Sequence, residues 1–209
     1  MKLILLGATG LVGSHVLELA LADARISEII APTRRPITER TGLFAPLVDF
    51  DHLPEDAPWW RADAVICALG TTMKKAGSRE AFRRVDHHYP LEAARLARRH
   101  GVPAFVLNSA TGADPDSRFF YNRVKGELER DLRAVGFESL TLVRPGLISG
   151  PRTEFRLGER VAEVLLKTTG PLLAHRWRIN LARNIAQAML DAAVAGMTGE
   201  HIVESAELA

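Results

Sequence analysis

The sequence predicts an α/β domain: a doubly wound parallel sheet with helices on both faces. Three observations predict it. Short apolar runs alternate with longer stretches of helical pattern, as repeated strand–helix–strand units do. The runs are so apolar that they suit a sheet covered on both faces. A loop carrying three glycines joins the first run to the first helical stretch.

In chain order, the first strand is "LILL" (3–6) and the helix after it spans 11–22. "EIIA" (28–31) and "APLV" (45–48) predict the second and third strands, and "AVICAL" (64–69) the fourth. A helical pattern follows over 78–100, where Pro90 should split or kink the helix because it lacks an amide hydrogen. "AFVLN" (104–108) is the fifth strand, 118–135 the next helix, and "LTLV" (140–143) the sixth strand. Helices at 159–168 and 181–195 belong to a small C-terminal segment expected on the substrate side. A chain of 209 residues is expected to form a single domain, 1–209.

The composition is 47% hydrophobic and 25% charged, with a net charge of +2 and scattered basic residues. That is ordinary for a globular protein and makes no case for a nucleic-acid partner. "MKLILLGATG" is apolar for only four residues before its glycines, and no run of 18 apolar residues occurs. Neither a signal-peptide core nor a membrane span is expected, which leads to the expectation of a cytosolic (cytoplasmic) protein. The single cysteine, Cys67, precludes an intrachain disulfide and argues against a cysteine-based zinc site, so no metal is expected. Within its apolar run Cys67 reads as a small buried hydrophobe rather than a nucleophile. The oligomeric state is not legible.

Doubly wound sheets bind ligands beyond the carboxyl ends of their strands, so functional residues should follow the apolar runs. "LILLGATGLVGSHV" puts Gly7, Gly10 and Gly13 directly after the first strand. Glycines there permit a tight turn and a close backbone approach to a pyrophosphate, and the helix that begins beside them offers amide donors. The spacing is G-x-x-G-x-x-G, and its place between strand and helix predicts a Rossmann-like dinucleotide site. An NAD site wants an acid at the end of the second strand. Here Glu28 stands at the wrong end, while Arg34 and Arg35 occupy the place of that acid. Guanidinium suits a 2′-phosphate, so NADP(H) is expected over NAD(H); the other reading is a pair of solvated loop arginines. Asp49, after the third run, could accept from the adenine amino group or serve as a helix cap or turn residue. After the fourth run, Leu69 and Gly70 would let backbone lie along the cofactor.

The fifth run leads into "LNSATGADPDSRFFYNRVKGE". Ser109 sits at its carboxyl end, and Tyr121 and Lys125 are one helical turn apart on a shared face. A cation near a phenol favours the phenolate and fits tyrosine for acid–base work, with Ser109 holding a carbonyl oxygen.

The glycine triplet, Ser109 and the Tyr121-x-x-x-Lys125 pair together resemble the short-chain dehydrogenase/reductase superfamily. "CALGTT", "KKAGS", "GAD", "YNRVKGE" and "RPG" resemble an atypical branch of it, from residue 1 to about 152. The resemblance implies that Thr9, Gly10, Leu11 and Val12 contact the cofactor phosphates and that Arg34 and Arg35 hold the 2′-phosphate. It implies further that Leu69 and Gly70 lie along the cofactor, that Tyr121 and Lys125 are the catalytic pair, and that Arg152 reaches the nicotinamide end. One departure stands out. Many relatives carry an asparagine in the helix beneath the site, feeding a proton relay, and this chain has Asp86 near that position, in "VDHHYP". His87 and His88 are the neighbouring candidates for a substitute, or ordinary packing residues.

The leading expectation is an NADP(H)-dependent oxidoreductase acting on a carbonyl or alcohol, with a small-molecule substrate and neither a nucleic-acid nor a membrane partner. The alternatives are an NADP(H)-binding redox sensor and a sugar-nucleotide epimerase or dehydratase. About 57 residues follow Arg152, which leaves the last of these little room. Arg156, His175 and Trp177 could line a substrate pocket or simply pack.

Overall fold

The computed structural model describes residues 1–149 and 179–208. A seven-stranded sheet, parallel throughout, forms the centre. Its strands are β1 (Lys2–Leu6), β2 (Glu28–Ile30), β3 (Leu43–Phe44), β4 (Ala64–Cys67), β5 (Ala104–Asn108), β6 (Ser139–Arg144) and β9 (Gly199–Glu204). Their spatial order is β3-β2-β1-β4-β5-β6-β9, so the chain reverses direction across the sheet between β1 and β4. A separate parallel pair joins β7 (Leu147–Ser149) to β8 (Ile179–Leu181).

The helices cover both faces. α1 (Leu11–Ala22) and α6 (Ala182–Ala195) pack on one, and α4 (Tyr89–Arg99) and α5 (Phe120–Val135) on the other. Strand pleating sorts β1 accordingly: Leu3 and Leu5 enter the first layer, Ile4 and Leu6 the second, and all four are fully buried. Each such side chain contributes roughly 1.5–3 kcal/mol by leaving water. This explains why the central runs are apolar at every position.

Besides the β7–β8 pair, which was not expected, three elements differ from expectation. The third strand lies at Leu43–Phe44, ahead of the expected 45–48, because Pro46 in that run has no amide to give a ladder. The chain still runs beside β2 there, through a Thr33–Leu47 bridge. The edge strand β9 was not expected. Its burial alternates and Ile202 is 40% exposed, so no apolar run marks it. The 78–100 pattern becomes α3 (Arg79–Arg83), a π-helical turn (Arg84–His88) and α4, preceded by a short α2 (Met73–Ala76). Pro90 sits in the first turn of α4, and the Tyr89 amide reaches back five residues to the Arg84 carbonyl. The helix widens ahead of the proline instead of breaking. The expected helix at 159–168 lies outside the described residues.

Candidate active site

At the end of β1 the chain turns at Gly7, whose φ of +87° is left-handed and cheap only for glycine. A Cβ on Gly13 would come within 2.0 Å of the Gly7 carbonyl oxygen, so strand and helix can meet only without a side chain. Gly10 caps α1 with no side-chain hydrogen bond, and no acid stands in the first turn. The first amides of α1 thus face outward without a capping side chain, an arrangement that takes up anions.

A cleft of about 470 Å³ opens beyond the carboxyl ends of β1, β4 and β5. It brings together Thr9, Gly10, Leu11 and Val12 from the first loop, and Leu69 and Gly70 from the loop after β4. Ser109 after β5, and Tyr121 and Lys125 on α5, line the same cleft, while Gly7 and Gly13 shape its first loop without lining it. These residues are spread over more than a hundred positions, and the switch in strand order is what collects them. Arg34 and Arg35 stand outside this cleft, exposed just beyond β2, with no ion-pair partner among the described residues. Asp49 is also outside, in a turn where its carboxylate accepts from the His52 ring at 3.0 Å and the Asp51 amide at 2.9 Å. Those bonds hold its carboxyl below the ordinary range. Arg152, Arg156, His175 and Trp177 lie outside the described residues.

Tyr121 is 41% exposed, at the first turn of α5, while Lys125 one turn deeper is only 4% exposed. The Lys125 ammonium lies 2.9 Å from Asp86 Oδ1, and Asp86 Oδ2 accepts the Thr71 amide at 2.7 Å. Burial alone would push the lysine down, but the Asp86 carboxylate outweighs it and holds the ammonium well above its ordinary value. Both Asp86 oxygens are engaged, one by the Lys125 ammonium and one by the Thr71 amide, where the relay asparagine of many relatives would offer an amide donor. His87 turns instead to Asp131 on α5, at 2.8 Å, and neither it nor His88 lines the cleft. Burial pushes the Cys67 thiol up to about 12, which removes it as a nucleophile at neutral pH.

Ser109 holds a bond within the protein. Its hydroxyl donates to Glu129 Oε1 at 2.5 Å, and Glu129 in turn accepts from Arg144 Nε and Nη2, at 3.0 and 2.6 Å. With its proton given to Glu129, Ser109 Oγ is left as an acceptor toward the cleft. Glu129, Arg144, Thr71 and Asn108 were not singled out from the sequence. One signal was available: Glu129 follows Lys125 by four positions on the inward face of α5, where a buried acid requires donors. Asn108 Oδ1 is buried beside the cleft without a partner among the described residues. An open acceptor of this kind costs about 1–3 kcal/mol unless something donates to it. It fits a ligand with hydroxyl or amide donors, while the uncapped α1 amides fit phosphate oxygens, and a dinucleotide carries both. A wider groove of about 830 Å³ runs outside α4 and α5 and has neither a glycine loop nor the tyrosine–lysine pair.

The model of the NAD dependent epimerase/dehydratase family matches residues 3–164. The mitochondrial protein fmp52 of Aspergillus niger is 37% identical over 211 residues, covering 94% of this chain and 88% of its own. The HTATIP2 protein of Rattus norvegicus is 34% identical over 201 residues, covering 94% and 82%. Among solved structures, MoeE5 in complex with UDP-glucose and NAD is similar at a TM-score of 0.74 and 16% identity, over 97% of this chain and 75% of that one. The PhqB reductase domain from Penicillium fellutanum follows at 0.70 and 18%, over 97% and 66%. The fmp52 relatives are named mitochondrial, which contradicts the cytosolic placement expected from the sequence. That expectation rested on the lack of an apolar leader or span, and addresses to other compartments need be neither. Fold, glycine loop and matched residues agree: the chain belongs to the NAD dependent epimerase/dehydratase family, within the short-chain dehydrogenase-like dinucleotide-binding superfamily.

Proposed function

We propose that the protein is an NADP(H)-dependent oxidoreductase that interconverts a small-molecule carbonyl and its alcohol. The observation that carries this reading is one cleft with the uncapped N-terminus of α1 on one side and Tyr121 and Lys125 on the other. In this reading Thr9 and the backbone of Gly10, Leu11 and Val12 hold the pyrophosphate, over the close approach that Gly7 and Gly13 permit. Leu69 and Gly70 flank the dinucleotide, Asn108 Oδ1 accepts from it, and Arg152 serves its nicotinamide end. Arg34 and Arg35 hold the 2′-phosphate with charge-assisted hydrogen bonds.

The bound nicotinamide supplies or takes up a hydride. The Tyr121 phenol gives its proton to the substrate oxygen in reduction and takes it back in oxidation. The Lys125 ammonium lies beneath it and donates to the nicotinamide ribose. Ser109 Oγ, its own proton directed to Glu129, accepts from a substrate hydroxyl other than the reacting one. The setting, by likeness to the fmp52 proteins, is mitochondrial.

Tyr121→Phe tests the reading. The variant should lose at least about a hundredfold in NADPH-dependent carbonyl reduction, with NADPH affinity nearly intact. Full activity in the variant, on a substrate confirmed with the parent, would contradict the role of the phenol.

A further inference from the structure

We propose that Asp86 is the positioning residue of Lys125: one carboxylate that holds the ammonium with one oxygen and the loop beside the cleft with the other. The inference rests on Lys125 being a cofactor-side cation. The two contacts are 2.9 Å to Lys125 Nζ and 2.7 Å to the Thr71 amide. The side chains of the pair are 5% and 1% exposed. Both lie against the backbone of Gly70, where an added Cβ would come 3.4 Å from Asp86 Oδ1 and 4.0 Å from Lys125 Nζ. A single side chain thereby ties α5 to the loop after β4.

The fold makes a special provision for this side chain. Asp86 comes from the π-helical turn at Arg84–His88, where the extra residue per turn re-aims side chains relative to a regular helix. Among the described residues, the titratable groups that act on Lys125 are Asp86, the Tyr121 phenol from its own helix, and the Cys67 thiol from β4. The thiol stays protonated through the neutral range. Asp86 is thus the one carboxylate among them. A buried ammonium without such a partner is driven toward its neutral form, by as much as about 3–5 pKa units when burial is complete. Removing Asp86 would change what Lys125 is, not only where it points.

The test is the pH dependence of NADP⁺ binding, measured by calorimetry on the full chain. Tyr121→Phe is the background, so that the phenol takes no part. With Asp86→Asn added, affinity relative to the background should fall tenfold or more between about pH 5 and pH 9, as the lysine loses its charge. Lys125→Met in the same background should bind weakly, and adding Asp86→Asn to it should bring no such relative fall. A relative affinity for Asp86→Asn that stays level, whether background-like or uniformly weaker, would overturn the proposal. If the background binds NADP⁺ at no pH while folding normally, the cofactor reading fails instead.

A second measurement needs no Asp86 variant and covers one that does not fold. The sequence has five lysines, so ¹⁵N-lysine labelling with Lys125→Met as the reference identifies the Lys125 ammonium. That signal should remain protonated above the ordinary lysine value of about 10.4. Titration at or below that value would overturn the proposal.

Discussion

Arg34 and Arg35 follow the second strand, exposed and without ion-pair partners among the described residues. Hydrogen bonds to a charged phosphate are worth about 1.5–3 kcal/mol each, and exposure draws the net gain toward the low end or below it. Since 1.4 kcal/mol is a factor of ten, the expected preference for NADPH over NADH is roughly tenfold to a few hundredfold. Replacing both arginines by alanine should remove most of that preference and barely change NADH binding. Titration of both cofactors against parent and variant checks this, and an undiminished preference in the variant would refute it. Residue types at strand ends were legible because the ligand rule for doubly wound sheets says where to look. Pairings were not. Ser109 meets Glu129 and Lys125 meets Asp86 across 20 and 39 positions, through side chains that periodicity assigns to a face but not to a partner.

Gly126 shows the same limit at the scale of an element. In an open helix, replacing glycine with alanine gains about 1 kcal/mol. Here a Cβ would fall 2.2 Å from the Asp114 carbonyl carbon and 2.3 Å from the Pro115 nitrogen. Backbone cannot yield as a flexible side chain does, so the clash wins. Gly126→Ala should destabilise the protein by about 1–3 kcal/mol, read by denaturant unfolding. A stabilised variant would mean that the loop does not press on α5. The glycine of "YNRVKGE" stands out in the sequence, but its reason is a loop that only the fold brings near. Pro90 likewise announced a disturbance at the right place, and the structure turns it into a widened turn. The strands of the central sheet that escaped notice or shifted, β9 and β3, are edges, where one-sided burial and proline erase the continuous apolar run.

For the whole molecule, alternation of strands and helices was enough to anticipate the parallel sheet, and the glycine loop marked where it opens. Crossing from β1 to β4 brings the α1 N-terminus opposite α5, and the proposed chemistry depends on that juxtaposition. What the alternation could not supply is whether the site turns over or only senses its cofactor. The most direct measurement uses NADPH deuterated at the reactive C4 position, incubated with the parent and a panel of carbonyl compounds. The expected result is an alcohol product that carries deuterium on the former carbonyl carbon, formed one for one with NADP⁺. A protein that binds NADPH yet delivers deuterium to no carbonyl would contradict it.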